Sequence, residues 1–162
     1  MAITKDKKKV ILEKLRDITG KESVVFVKFH GLPVADTAEM RSVLRQDGIS
    51  YFVARKTLVR KAFEESNIEG SIPELDGELA LAYADELTAP ARGVYEFQTK
   101  FKGAVSILGG VFENKFLDKV GMEEIAQIPS QDVLRGMFVN VINSPIQGFV
   151  MALSAIAEKK EA

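Results

Sequence analysis

Between Arg135 and Glu158 the chain has 22 consecutive uncharged residues, GMFVNVINSPIQGFVMALSAIA, in a protein of 162 residues of which 28% are charged. No other feature narrows the possible folds as far. A segment this long and apolar must be buried in the protein's own core, surrounded by lipid, or covered by another chain. Set on a helix at 100° per residue, Asp132, Asn140, Asn143, Ser144, Gln147, Ser154 and Glu158 fall on one side. Leu134, Phe138, Val141, Ile142, Phe149, Ala152, Leu153 and Ile156 fall on the other. The apolar sector exceeds half the circumference, so packing one flank against a core leaves the rest in water.

The segment also repeats itself. A shift of eleven positions lays Phe138-Val139 on Phe149-Val150, Val141 on Ala152, Ile142 on Leu153 and Asn143 on Ser154. Eleven residues are close to three helical turns, so the copies point the same way about 16 Å apart. That spacing predicts two equivalent docking sites in series, with Leu134, Phe138, Val141, Ile142, Phe149, Val150, Leu153 and Ile156 as contact residues. Pro145 falls between the copies, where it can kink or restart the helix. A membrane span is the competing reading, with Lys159-Lys160 at the far interface. Against it, two asparagines, a serine, a proline and a glutamine occupy the middle, where polar groups cost most.

Little in the chain points to catalysis. There is no cysteine, which removes disulfides and thiolate chemistry, and His30 is the single histidine. Gly109-Gly110 fits neither phosphate-loop template and is read as a tight strand corner. Glu113, Asp118, Glu123 and Glu124 are read as surface charges; an all-carboxylate metal enzyme is the third possibility. No cofactor and no small-molecule substrate are implied. The start, MAITKDKKKVILEKL, has too short an apolar run for a cleavable signal peptide.

Charge is divided along the chain. Residues 1–62 carry fourteen Lys or Arg against seven Asp or Glu, residues 63–99 carry one against nine, and the remainder balances. The asymmetry suits a protein whose one face meets a polyanion, although two solvated faces of one fold would give the same sums. Lys5, Lys7, Lys8 and Lys9 crowd the start of a helix whose dipole they oppose, so an external anion explains them better than helix stability does. In VARKTLVRKA (53–62), Arg55 and Lys56 stand at a strand exit and Arg60 and Lys61 one turn into the next helix. Free N–H groups and the Thr57 hydroxyl complete a phosphate-binding set suited to a folded nucleic acid recognised through its backbone.

Hydrophobic patterning predicts helices over about 5–19, from Leu32-Pro33 to Gly48, 56–66, Thr88 to about Lys102, and 118–127. Thr4 is the expected cap of the first and Gly20 its stop. Strands are expected at 23–29, 49–54, 79–84 and within 104–117, the last with a hairpin turn at Glu113-Asn114-Lys115. The result is a sandwich of helices against four or five strands. Ile128-Pro129-Ser130 marks a boundary, with one domain at 1–129 and a helical segment at 130–162.

VARKTLVRKA resembles the strand-to-helix K-N-T-L-x-R-x-A signature of the bacterial large-subunit ribosomal protein ten family, the proteins of the ribosomal stalk base. FVKFHGLPVADTAEMRSVLRQDGISY, LDGELALAYA, ILGGVFENKFLD and IPSQDVL are similar to further family motifs in the same order. The resemblance implies an α+β fold: a ferredoxin-like α/β sandwich followed by a long C-terminal helix. It implies a non-enzymatic, cytoplasmic ribosomal protein, not a membrane protein. The expected partners are large-subunit rRNA, dimers of the acidic stalk protein that recruits translational GTPases, and large-subunit protein eleven as a neighbour. Carried over by position, RNA contacts fall to Lys5, Lys8, Lys9, His30, Gly31, Arg55, Lys56, Thr57, Arg60 and Lys61, and the eleven-residue repeat to two dimer sites. Lys56 stands where the family usually has asparagine, His30 where it has arginine, and Glu78-Leu79 where it has proline-threonine.

Overall fold

A computed structural model describes residues 5–66, 68–101 and 103–161, and the chain divides into two compact units, residues 1–128 and 129–162. The first unit contains α1 (Lys5–Thr19), β1 (Ser23–Phe29), α2 (Val34–Gln46), β2 (Ser50–Val53), α3 (Lys56–Glu64), β3 (Leu79–Ala84), α4 (Ala89–Lys100), β4 (Val105–Phe112), β5 (Lys115–Asp118) and α5 (Lys119–Ala126). The second is α6 (Gln131–Glu161). The strands form one antiparallel sheet in the order β2-β3-β1-β4-β5. Its first four members have the ferredoxin-like order, with α3 placed in the β2–β3 connection and β5 added as a hairpin. The expected cap at Thr4 lies outside the described residues.

Both faces of the sheet are covered, which explains why its central strands are continuous apolar runs. Val25 and Val27 of β1, with Ala80 and Ala82 of β3, point to a layer containing Met40, Leu44, Val94 and Met122 from α2, α4 and α5. Val24 and Phe26, with Leu79 and Leu81, point to the layer of α1 and α3, where Leu15, Ile18, Val59 and Phe63 are buried. Phe26 and Phe63 meet edge to face with centroids 5.2 Å apart, an arrangement worth about 0.5–1.5 kcal/mol beyond the burial itself. Phe116 of β5 continues the aromatic row against Phe63 at 6.1 Å.

Local chemistry sets the element ends. α2 stops because Gly48 adopts φ +72°, its N–H bonding the Arg45 carbonyl at 3.2 Å while Ile49 N–H bonds that of Leu44 at 2.8 Å. Gly20 does not act this way: α1 ends with Thr19 Oγ1 donating to the Arg16 carbonyl, and Gly20 is not left-handed. Thr88 is the cap residue of α4 but makes no side-chain capping bond. The hairpin turn is the two-residue Glu113-Asn114, at φ 48° and 61°, so Lys115 already belongs to β5.

The Gly109-Gly110 pair makes no corner. β4 continues through it, and the pairing with β1 shifts by one residue because Phe26 faces Gly109 while Val27 faces Ile107, leaving Leu108 as a bulge. Gly110 is required for close approach: a Cβ there would stand 2.5 Å from the Val24 carbonyl oxygen and 2.8 Å from Met122 Cε.

Candidate functional site

α3 is built to show a basic face. Val59, Ala62 and Phe63 are buried, and the helical repeat therefore turns Lys56, Thr57, Arg60 and Lys61 to solvent. Arg55 is the cap residue, extended at ψ 133°, and its carbonyl accepts the N–H groups of Leu58 and Val59 at 2.9 and 3.1 Å. A concavity of about 630 Å³ is lined by Arg55, Lys56 and Thr57 together with Ile11, Phe29 and Glu78. A second of about 630 Å³ shares Lys56 and Thr57 and adds Arg60, Lys61, Glu64 and Leu75. Ile11 brings α1 to this end of the fold, where Lys8 and Lys9 are exposed. Phe29 brings the β1 exit, so exposed His30 and Gly31 (φ +67°) follow directly. Lys5 opens α1, and its side chain lies outside the described residues.

The cations are not equally available. Glu65 accepts a hydrogen bond from Arg16 at 2.8 Å and lies 4.0 Å from Lys61. The Arg16 hydrogen bond, helped by its charge and that of Lys61, holds the Glu65 carboxyl below its usual range. Asp76 is held low first by its bond from Lys28 at 3.3 Å and, more weakly, by the charge of Lys56. Arg55, Lys56 and Arg60 make no ion pair within 4 Å among the described residues. The acidic stretch 63–99 is partly spent internally, because Glu65, Glu69, Asp76, Asp85 and Glu86 each pair with a Lys or Arg of the same unit. Sequence blocks hid this interlocking, since most of these partners are remote in the chain. The peptide N–H of His30 bonds the Ala104 carbonyl at 2.8 Å, which fixes the turn rather than the imidazole.

The second unit is one helix, continuous through Pro145. The Ser130 carbonyl accepts the Leu134 N–H at 2.9 Å, which starts the helix where the boundary serine was expected to. Among its described residues, taken by itself, it has no apolar core. Phe138 and Phe149 are 67% and 66% exposed, so the two copies of the repeat are uncovered to the same degree. Leu134, Val141, Ile142, Val150, Leu153 and Ile156 are exposed as well. So are Val133, Met137, Val139, Ile146 and Met151, which lie off the chosen wheel sector and were missed for that reason. Over Gln131–Lys159 the helix is long and apolar enough to cross a membrane by length and composition. Glu123, one of the carboxylates considered for a metal, is engaged by Gln98 at 2.9 Å and Lys119 at 3.9 Å.

Residues 3–99 match the family model described as Ribosomal protein L10, and residues 128–162 match that of the Ribosomal protein uL10 C-terminal region. The large ribosomal subunit protein uL10 of Shouchella clausii (strain KSM-K16) is 34% identical over 160 residues, covering 98% of this chain and 96% of the relative. The protein of the same description from Staphylococcus aureus (strain Newman) is 34% identical over 160 residues, covering 99% and 96%. Matched at both ends by family models and aligned along nearly its whole length with these relatives, the chain belongs to the ribosomal protein uL10 family.

Proposed function

We propose that this protein is a scaffold of the ribosomal stalk base: residues 1–129 bind large-subunit rRNA, and residues 130–162 present a helix on which two dimers of the acidic stalk protein assemble. The family consists of structural proteins of the large subunit, not enzymes, and in bacteria the ribosome is cytoplasmic. The carrying observation is α6, whose apolar side chains are exposed in two copies eleven residues apart. A rod with so little polar surface is stable in water only when sheathed, and an in-phase repeat calls for two identical sheaths. The basic face formed by Arg55, Lys56, Thr57, Arg60 and Lys61, with Lys8 and Lys9 on α1 and the His30-Gly31 turn, supports the RNA role by its charge and shape. Large-subunit protein eleven is the expected neighbour.

A membrane span is not favoured by the family, and Asn140, Asn143, Ser144 and Gln147 at its centre would be costly in lipid. Native mass spectrometry of the full chain with its acidic partner tests the scaffold. Phe138→Asp and Phe149→Asp are each expected to remove one dimer of two, and the double variant both. An unchanged stoichiometry in either single variant refutes serial sites.

A further inference from the structure

Strand β2 forms one edge of the sheet, and among the described residues no other strand lies on its outer side. Natural edges are commonly blunted by a charge, a proline or a bulge. Ser50-Tyr51-Phe52-Val53 has no charge and no proline, and its pairing with β3 is regular at all four residues, so shortness is its one protection. A groove of about 490 Å³ follows this edge. Arg41 and Arg45 of α2 wall it on one side, while Phe52 and Tyr83, which face the opposite layer, wall it on the other. A concavity lined from both faces of a sheet must straddle the edge between them. The Arg41 guanidinium rests over the Tyr51 ring, 5.5 Å from its centroid, and so is held at the rim. Neither Arg41 nor Arg45 has an ion-pair partner among the described residues.

We infer that the β2 edge receives an extended acidic segment of a protein partner as a sixth strand. The outward backbone groups of β2 alternate N–H and C=O, a pattern that another peptide backbone matches and a sugar-phosphate backbone does not. Arg41 and Arg45, four apart on a helix, stand about 6 Å apart at Cβ. Alternate residues of a strand are spaced by about 6.8 Å, so two carboxylates separated by one residue match the spacing of the two arginines. The intervening side chain then faces Phe52 and Tyr83 and is apolar. The recognised pattern is therefore acid, apolar, acid.

The full chain is titrated by NMR with acetylated, amidated peptides containing Asp-Val-Asp-Val, Asn-Val-Asn-Val or Asp-Pro-Asp-Pro, while amide exchange in β2 is followed. The first peptide is expected to bind and slow exchange at outward β2 amides, the second to bind about tenfold more weakly, and the third to lose binding for want of N–H donors. Arg41→Glu with Arg45→Glu, both on the surface, is expected to weaken the first peptide about tenfold and leave the second unchanged; circular dichroism checks its fold. Equal binding of the proline peptide, or unaltered β2 exchange with the first peptide, overturns the inference. So does an eight-nucleotide oligouridylate that protects the same amides when the peptide does not, which would reassign the edge to RNA.

Discussion

Arg60 and Lys61 are neighbours on α3 with the same formal charge, yet their contributions to RNA binding should differ. Lys61 shares Glu65 with Arg16, whereas Arg60 has no acidic partner among the described residues. Each phosphate neutralised contributes about 0.7–0.9 to the slope of log affinity against log salt concentration. Arg60→Ala is therefore expected to flatten the slope by about 0.8, which amounts to a roughly threefold smaller loss of affinity between about 50 and 200 mM salt. Lys61→Ala should cost less than half of that, because part of its charge is already met by Glu65. Glu65→Gln should act in the opposite direction, releasing Lys61 and Arg16 together and steepening the slope. The assay is fluorescence anisotropy of a large-subunit rRNA fragment at four salt concentrations. If Lys61→Ala costs as much as Arg60→Ala while Glu65→Gln leaves the slope unchanged, the unequal availability argued from the ion pairs is wrong.

Two further outcomes concern the scaffold itself. Gly110→Ala places a methyl group against the Val24 backbone oxygen, which cannot yield, so the first unit should lose about 1–3 kcal/mol and melt about 3–10 °C lower by calorimetry; an unchanged melting temperature would show that β4 and β1 separate freely at this point. Burial raises the Tyr51 phenol from its ordinary 10.0 to about 12, with the Arg41 charge opposing the shift. Because the folded value is the higher one, its stabilising contribution is complete below pH 10 and is lost as pH rises towards 12. Denaturant midpoints measured across that window should fall less steeply in Tyr51→Phe than in the parent, and parallel curves would deny the linkage.

The parts of the fold that were legible in the sequence are those where local and global demands coincide. β1 and β3 were read at the observed bounds because a strand buried on both faces is an uninterrupted apolar run between polar ends. The exposed positions of α3 were readable because Val59, Ala62 and Phe63 leave a single basic face. The β4 bulge was not, since two adjacent glycines permit a corner and a bulge alike, and only the register against Phe26 and Val27 decides between them. The pairing of Arg16 with Glu65 was equally hidden, because α1 and α3 pack side by side although these two residues stand 49 positions apart in the chain. On α6 the wheel identified the strongest apolar sector and thereby passed over Val133, Met137, Val139, Ile146 and Met151. A sector describes a helix with one partner; this helix is apolar nearly all round.

The extra residue at Leu108 also resets which side chains of its strand see which helices. Before it, Val105 and Ile107 belong to the α2–α4–α5 layer; after it, Val111, again at an odd position, belongs to the α1–α3 layer. The strand thus carries a phase slip, and Phe116, which follows through the hairpin, reaches Phe63 only because of it. Were the bulge ironed out, with Leu108 itself paired opposite Phe26, the far half of β4 would turn inside out and carry the β5 hairpin with it.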